Sequence, residues 1–225
     1  LQYMYQTSWG ISTRIIGAII MTHGDDHGLV LPPNIAPIKV VIVPIGKNAD
    51  AVLEKSYEIA RGLRAKGIET KIDDSEKSPG FRFAENEMKG IPVRIEIGSR
   101  DLEQGTCVLA RRDTLEKEVV SLDNVCEEVV RLLLDIQESM LLRAKTRRDA
   151  MIHTATTAEE MDHIIEEESG FVLAPWCGNR ECEEKIKENY GITSRCIPFD
   201  EEVHKEKCVV CQKPAKHMVY WGKQY

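Results

Sequence analysis

Four cysteines toward the C-terminal end have the spacing of a metal site. Cys177 and Cys182 have four residues between them, and Cys208 and Cys211 have two. Thiolates that close can face one tetrahedral ion, and two such pairs complete a zinc site. With no coordination position left open, that zinc would be structural rather than catalytic. The competing reading is a set of free buried thiols. Cys196, His204 and His217 are candidate substitutes for one ligand. Cys107 and Cys126 fall in a strand pattern and a helix pattern and read as core. A second group runs from Phe81 to Arg100, where Phe81 and Phe83 follow a Pro-Gly turn and Glu87, Lys89, Arg94, Glu96 and Arg100 come after. Aromatic faces stack on unpaired bases, and arginine and glutamate can read base edges. The bland alternative is a core aromatic beside a solvated charged face. A third group is Gly10, Ser12, Thr13 and Arg14, at the front of the apolar run Ile15 to Met21. Arg14 is either a snorkelling arginine at a helix end or a phosphate- or base-stacking arginine on a rigid element.

The elements that must hold these groups follow from apolar periodicity. Ile15 to Met21, with small Gly17 and Ala18 inside it, fits a tightly packed helix. Pro32, Pro33 and Pro37 then punctuate the chain, and a linker with a domain boundary near Asn34 is expected. Ile38 to Ile45 is a β-branched run of the kind buried on both faces of a sheet. Gly46-Lys47-Asn48 reads as a turn, Ala49 to Lys66 as an amphipathic helix closed by Gly67, and Ile68 to Ile72 as a second strand. Such a βαβ unit predicts a parallel pair with a right-handed crossover. Phe81 to Lys89 is a short helix candidate and Ile91 to Gly98 alternates as a strand, with Val93, Ile95 and Ile97 opposite Arg94 and Glu96. Ser99 to Gly105 reads as a charged turn. Thr106–Arg111 and Glu116–Ser121 read as a hairpin, and Leu122 to Met151 as a long helix with a basic end. The expectation for residues 38–140 is a small α/β domain with a mixed sheet of about five strands. Beyond Ile152 the pattern gives an acidic helix from Ala158 capped by Thr156 or Thr157, a strand Phe171–Pro175, a helix Glu181–Asn189, a strand near Ser194–Ile197 and a hairpin-like segment from Lys207.

Composition narrows the class. The chain has 225 residues, 42% hydrophobic and 30% charged, with a net charge of −7. Any nucleic-acid contact must therefore use a local basic patch. No apolar run reaches the roughly 18 residues that span a bilayer, so no membrane partner is expected. The start lacks a signal-peptide pattern and an initiator Met, and Tyr3 to Gln6 read like the middle of a strand, so the chain reads as beginning inside a larger protein. Seven cysteines bunched toward one end fit a metal site in a reducing cytoplasm better than a secreted disulfide framework.

Longer stretches carry a family resemblance. Gln6-Thr7-Ser8-Trp9-Gly10-Ile11-Ser12-Thr13-Arg14, followed by His23-Gly24-Asp25-Asp26-His27-Gly28-Leu29-Val30-Leu31-Pro32-Pro33, closely resembles the motif 3 region of prolyl-tRNA synthetases. The resemblance continues through Pro79-Gly80-Phe81-Arg82-Phe83 and Lys89 to Gly98, into Arg100-Asp101-Leu102, and covers essentially the whole chain. The cysteine-bearing region and the ending Tyr220-Trp221-Gly222-Lys223-Gln224-Tyr225 resemble the archaeal and eukaryotic-like subgroup.

The resemblance implies a fold in three parts: residues 1–33 as the edge of an antiparallel class II catalytic domain, 34–150 as a mixed-sheet α/β anticodon-binding domain, and 151–225 as a small α+β zinc-binding domain. It implies a homodimeric, cytoplasmic parent enzyme that activates L-proline with ATP and Mg2+ and transfers it to tRNA(Pro). Arg14 is similar to the arginine that clamps ATP, with Ser12, Gln6 and Thr7 as further ATP contacts. Ser8, Trp9 and the terminal Tyr225 would lie by the proline and adenylate pocket. Phe83, Glu87, Arg94 and Arg100 fall where the family reads the anticodon; in the motif 3 stretch, His27 departs from the arginine often found at its position. Motifs 1 and 2 of class II synthetases are not in these residues, so this chain alone is expected not to activate proline. The alternative is a stand-alone anticodon-binding or accessory module without catalysis.

Overall fold

A computed structural model describes residues 3–46, 50–200 and 207–223. The chain divides into two compact units, Leu1–Ala144 and Lys145–Tyr225. Lys47, Asn48, His204 and Tyr225, each part of a sequence expectation, lie outside the described residues.

The first unit opens with residues 3–12, which carry neither helix nor strand, so the strand expected at Tyr3–Gln6 does not form. Helix α1 (Arg14–His23) follows. None of its residues is buried, and Ile15, Ile16, Ile20 and Met21 are exposed. The tight packing expected from its small residues is therefore absent within this unit, because no described element covers its apolar side chains. Next come β1 (Val40–Ile45), α2 (Asp50–Ala65) and β2 (Thr70–Ile72). Strands β1 and β2 pair in parallel, as the βαβ pattern requires. Helix α3 (Pro79–Met88) starts at Ser78, whose hydroxyl accepts from the Phe81 N–H, with Pro79 at the first position, where its missing N–H costs nothing. It leads into β3 (Val93–Gly98), which pairs in parallel with β1.

Ser99–Gln104, read from sequence as a turn, is the short helix α4. The Asp101 carboxylate accepts from the Gly98 N–H, and Gly105 ends the helix in the left-handed region. Strands β4 (Thr106–Arg111) and β5 (Lys117–Ser121) complete a five-stranded mixed sheet in the order β2-β1-β3-β4-β5. Helix α5 (Val125–Ala150) lays Val129, Leu132, Leu133, Ile136 and Met140 on one face of this sheet beside Val52, Ile59, Ala60 and Leu63 of α2. The opposite face is covered at Val41 and Val43 by Ile91 and Phe83. Coverage of both faces explains why β1 reads as an unbroken apolar run. Burial of each such side chain contributes about 1.5–3 kcal/mol against chain entropy.

The segment after α1 belongs to this unit as well. Val30 joins the main core, and the Leu29 and Leu31 N–H groups donate to the carbonyls of Met88 and Gly90. Gly90 (φ 71°) lies so close to Leu29 that a Cβ there would be 2.7 Å from its backbone.

The second unit is built on a four-stranded mixed sheet, β6-β7-β9-β8. Strand β6 (Ile152–Thr154) was not anticipated from sequence; its three residues show no alternation to read. Helix α6 (Ala158–Glu167) is capped by Thr157 with a reciprocal Glu160 bond. Strand β7 (Phe171–Trp176), helix α7 (Arg180–Tyr190) and strand β8 (Ile192–Cys196) follow near their expected places. Strand β9 (His217–Lys223) runs antiparallel between β7 and β8, so the C-terminal segment completes the sheet centre rather than forming a separate hairpin. Trp221 is fully buried in this core with Val172, Ala174, Ile186 and Ile192. No helix among the described residues is long and apolar enough to cross a membrane.

Candidate functional site

Helix α3 and strand β3 bring three of the expected recognition residues together. Arg94 on β3 donates from Nη1 to Glu87 on α3 (2.6 Å), and from Nε and Nη2 to Glu96 (3.0 and 2.9 Å). Its guanidinium stacks on the Phe83 ring at 4.2 Å, and Lys117 on β5 stands 5.3 Å from the same ring while bridging Glu96 at 2.8 Å. The Arg94 side chain is only 7% exposed, whereas Glu87 is 25% and Lys117 48% exposed. The alternation of β3 thus points Arg94 and Glu96 away from the main core, but into a covered charge cluster rather than into open solvent. A buried arginine in that position needs both carboxylates, since an unpaired buried charge is costly. Arg100 does not join the cluster; it lies exposed on α4. Phe81 is exposed, with the Lys77 ammonium 4.8 Å from its ring.

The edge of the cluster is held by residues that sequence reading did not single out. Arg112 is nearly fully buried, donates to both Asp25 carboxylate oxygens (2.7 and 2.6 Å), and donates from Nε to the Glu87 carbonyl (2.8 Å). The Arg112 hydrogen bonds hold the Asp25 carboxyl down at about 2. Beside it, Asp113 has a fully buried side chain that accepts from Arg111 and Arg143. Burial alone would raise the Asp113 carboxyl, but those hydrogen bonds outweigh it and the pKa is lowered. Asp25 and Arg112 are 87 positions apart, so no local spacing could have found the pair.

The four predicted metal ligands converge in the second unit. Their sulfur atoms all lie within 4.8 Å of one another, with Cys177 3.7 Å from Cys182 and 3.6 Å from Cys211. Four sulfurs about 2.3 Å from a central zinc would be about 3.8 Å apart, so the donor set fits a tetrahedral ion. The local chain explains the convergence. Cys177 follows β7, and Cys182 sits in the first turn of α7, which is capped by Asn179. Cys208 and Cys211 lie on a tight loop closed by the Cys208 N–H to Lys213 carbonyl bond (2.8 Å) and by Gln212 in the left-handed region. Burial pushes the Cys177 and Cys182 thiols up, and the Lys213 N–H pulls Cys211 down to about 7. A divalent cation would favour the thiolates at all four. Cys196 is exposed on β8 and outside this set, and His217 is on β9. Cys107 is buried in the core, with Cys126 packed against it.

The N-terminal group is arranged differently. Gln6, Thr7, Ser8, Trp9, Ser12 and Arg14 are all exposed, Trp9 at 92%. The only hydrogen bond described among them joins the Arg14 N–H to the Ser12 hydroxyl (3.4 Å). No described pocket is lined by any of them.

Residues 39–132, which hold the Arg94 cluster, match the family described as anticodon binding domain. Residues 158–225, which hold the cysteines, match the family described as prolyl-tRNA synthetase, C-terminal. Over the whole chain the protein is 55% identical to the proline--tRNA ligase of Ruminiclostridium cellulolyticum. It is 51% identical to that of Lachnospira eligens and 52% to that of Clostridium novyi. This chain is similar to those proline--tRNA ligases over its whole length. It spans about half the length of these relatives, 47% of each.

Proposed function

We propose that this chain is the tRNA-reading part of a prolyl-tRNA synthetase, and that the Arg94 cluster contacts the anticodon. The observation that supports this most directly is the cluster's make-up within a domain of the anticodon-binding family: an arginine held between two carboxylates over a phenylalanine ring. Glu87 and Lys117 are the solvent-facing members, and Arg94 fixes where Glu87 points. A rigid fork of donors and acceptors is what discrimination of base edges requires. The proposed domain limits are 1–33, 34–150 and 151–225. The test is binding of tRNA(Pro). Arg94→Ala is expected to weaken it by about 1–3 kcal/mol. Arg94→Lys, which keeps the charge and loses the fork, should weaken it as well. Unchanged affinity in both variants would remove the cluster from the recognition surface.

In the same reading the parent enzyme joins L-proline to ATP with Mg2+ and passes it to tRNA(Pro), as a cytoplasmic homodimer. Arg14, Ser12, Gln6 and Thr7 would face ATP, and Ser8, Trp9 and Tyr225 the proline and adenylate pocket. The open apolar side of α1 supports the view that this segment packs on further protein. Such chemistry depends on positioning and charge stabilisation, which exposed side chains on residues 6–14 do not supply alone. The exposure of that group also favours a second reading, an RNA-binding module without catalysis. Proline-dependent ATP–pyrophosphate exchange separates the two: absence of activity in this chain is expected in both, and activity restored by adding the remaining half of a relative supports the first. Cys177, Cys182, Cys208 and Cys211 would hold a structural zinc, which supplies the second unit with a cross-link its small core lacks.

A further inference from the structure

The Arg94 cluster does not end at Glu87. The Glu87 carboxylate holds Arg94, and the carbonyl of the same residue holds Arg112, which in turn clasps Asp25. Asp25 opens the turn directly after α1, closed by reciprocal backbone bonds with Gly28 (3.1 and 3.0 Å). From that turn, Leu29 and Leu31 add two backbone bonds onto Met88 and Gly90, at the end of α3. One residue, Glu87, therefore anchors both the recognition cluster and the clasp. Arg112 is buried and all three of its side-chain nitrogens are engaged, so an open clasp costs the guanidinium its counter-ion, while Asp25, 39% exposed, passes to solvent. The closed clasp is therefore the favoured state, and Asp25 is the partner that can release.

We infer that Arg112 is a positioning residue that couples the segment following α1 to RNA binding at the Arg94 cluster, an inference that rests on reading that cluster as the RNA contact. RNA that fixes the Glu87 side chain also fixes the last turn of α3, and with it the carbonyl that orients the Arg112 fork toward Asp25. The effect is reciprocal: a closed clasp holds Glu87 in the geometry that RNA needs, and an open clasp lowers affinity. The difference between the two states is the pair of hydrogen bonds to Asp25 and the order of the turn, so only a ligand that favours one of them shifts the balance.

The test uses the 225-residue chain and an RNA stem–loop carrying the proline anticodon. Amide exchange of Leu29 and Leu31 is followed with and without the RNA, and affinity is measured for the native chain, Asp25→Asn and Arg112→Ala. Asp25 makes no contact with the cluster itself, so its loss reports coupling rather than a missing RNA contact. Expected are slower exchange at both amides on RNA binding, no such slowing in either variant, and affinity about five-fold lower in Asp25→Asn. Circular dichroism identifies an Arg112→Ala chain that fails to fold, and Asp25→Asn then decides alone. RNA that binds the native chain with unchanged exchange, and binds Asp25→Asn equally well, overturns the coupling and leaves the recognition reading intact. RNA that fails to bind the native chain overturns both.

Discussion

Asp113 shows how one side chain can carry a measurable share of stability. Its buried carboxylate accepts from Arg111 on β4 and Arg143 on α5, which ties the β4–β5 turn to the long helix. Arg111 keeps other partners in Asp135 and Ser139, and Arg143 is half exposed, so removal of the carboxylate leaves little unpaired charge. Asp113→Asn is therefore expected to cost about 1–3 kcal/mol rather than the larger penalty of an orphaned buried ion. Because the folded pKa is depressed, the contribution is present above the unfolded carboxylate value of about 3.9 and is lost as pH falls through the folded value. Urea unfolding should show a clear gap between native and variant chains at pH 7 that narrows below about pH 4. A gap that stays constant with pH would assign the loss to packing. At this scale the sequence is legible only where partners are close along the chain. Within each cysteine pair that condition is met, while the two pairs, with Cys177 and Cys211 34 positions apart, are brought together by the fold. The Asp25–Arg112 and Asp113–Arg143 pairs do not meet it, because fold topology alone brings them together.

Elements were legible in proportion to their length and periodicity. The βαβ unit and the long helix α5 carry enough repeats of their patterns to be unmistakable, whereas α4 has six residues and one partly buried apolar anchor, Leu102. The sequence of β3 announced two faces but not that both are covered, because the second face is closed by ion pairing rather than by apolar residues. The junction between the Asp25 turn and α3 makes its own prediction. Gly90 (φ 71°) and Gly67 (φ 77°) share a left-handed backbone, but an added Cβ would meet nothing within 4 Å at Gly67 and would meet Leu29 at 2.7 Å at Gly90. Gly67→Ala should cost only the backbone term of about 1–2 kcal/mol. Gly90→Ala should cost more, and should also speed amide exchange at Leu31, whose N–H donates to the Gly90 carbonyl. Equal losses in the two variants, read from urea midpoints, would show that the segment after α1 yields freely.

At the scale of the molecule, the two units have separate cores, one around the five-stranded sheet and one around Trp221. The second core is small, and a chain of that size commonly needs a staple. The cysteine cluster stands directly after β7 and holds the loop before β9, so it pins the ends of two neighbouring strands. Removal of the proposed zinc, by chelation or by Cys208→Ser, should therefore unfold or loosen the second unit and leave the first intact. The tryptophans report this selectively. Trp221 is fully buried and Trp176, next to Cys177, packs edge-on against it at 6.4 Å, while Trp9 is already exposed. Chelation should shift the emission to longer wavelength through Trp176 and Trp221, while the helical circular dichroism of α2 and α5 is largely retained. Metal analysis of the native chain should return one zinc per chain, and Cys208→Ser should return none. A native chain that contains no zinc when purified reduced, or emission that ignores chelation, would mean that packing alone holds this unit and that the thiols are ordinary buried side chains.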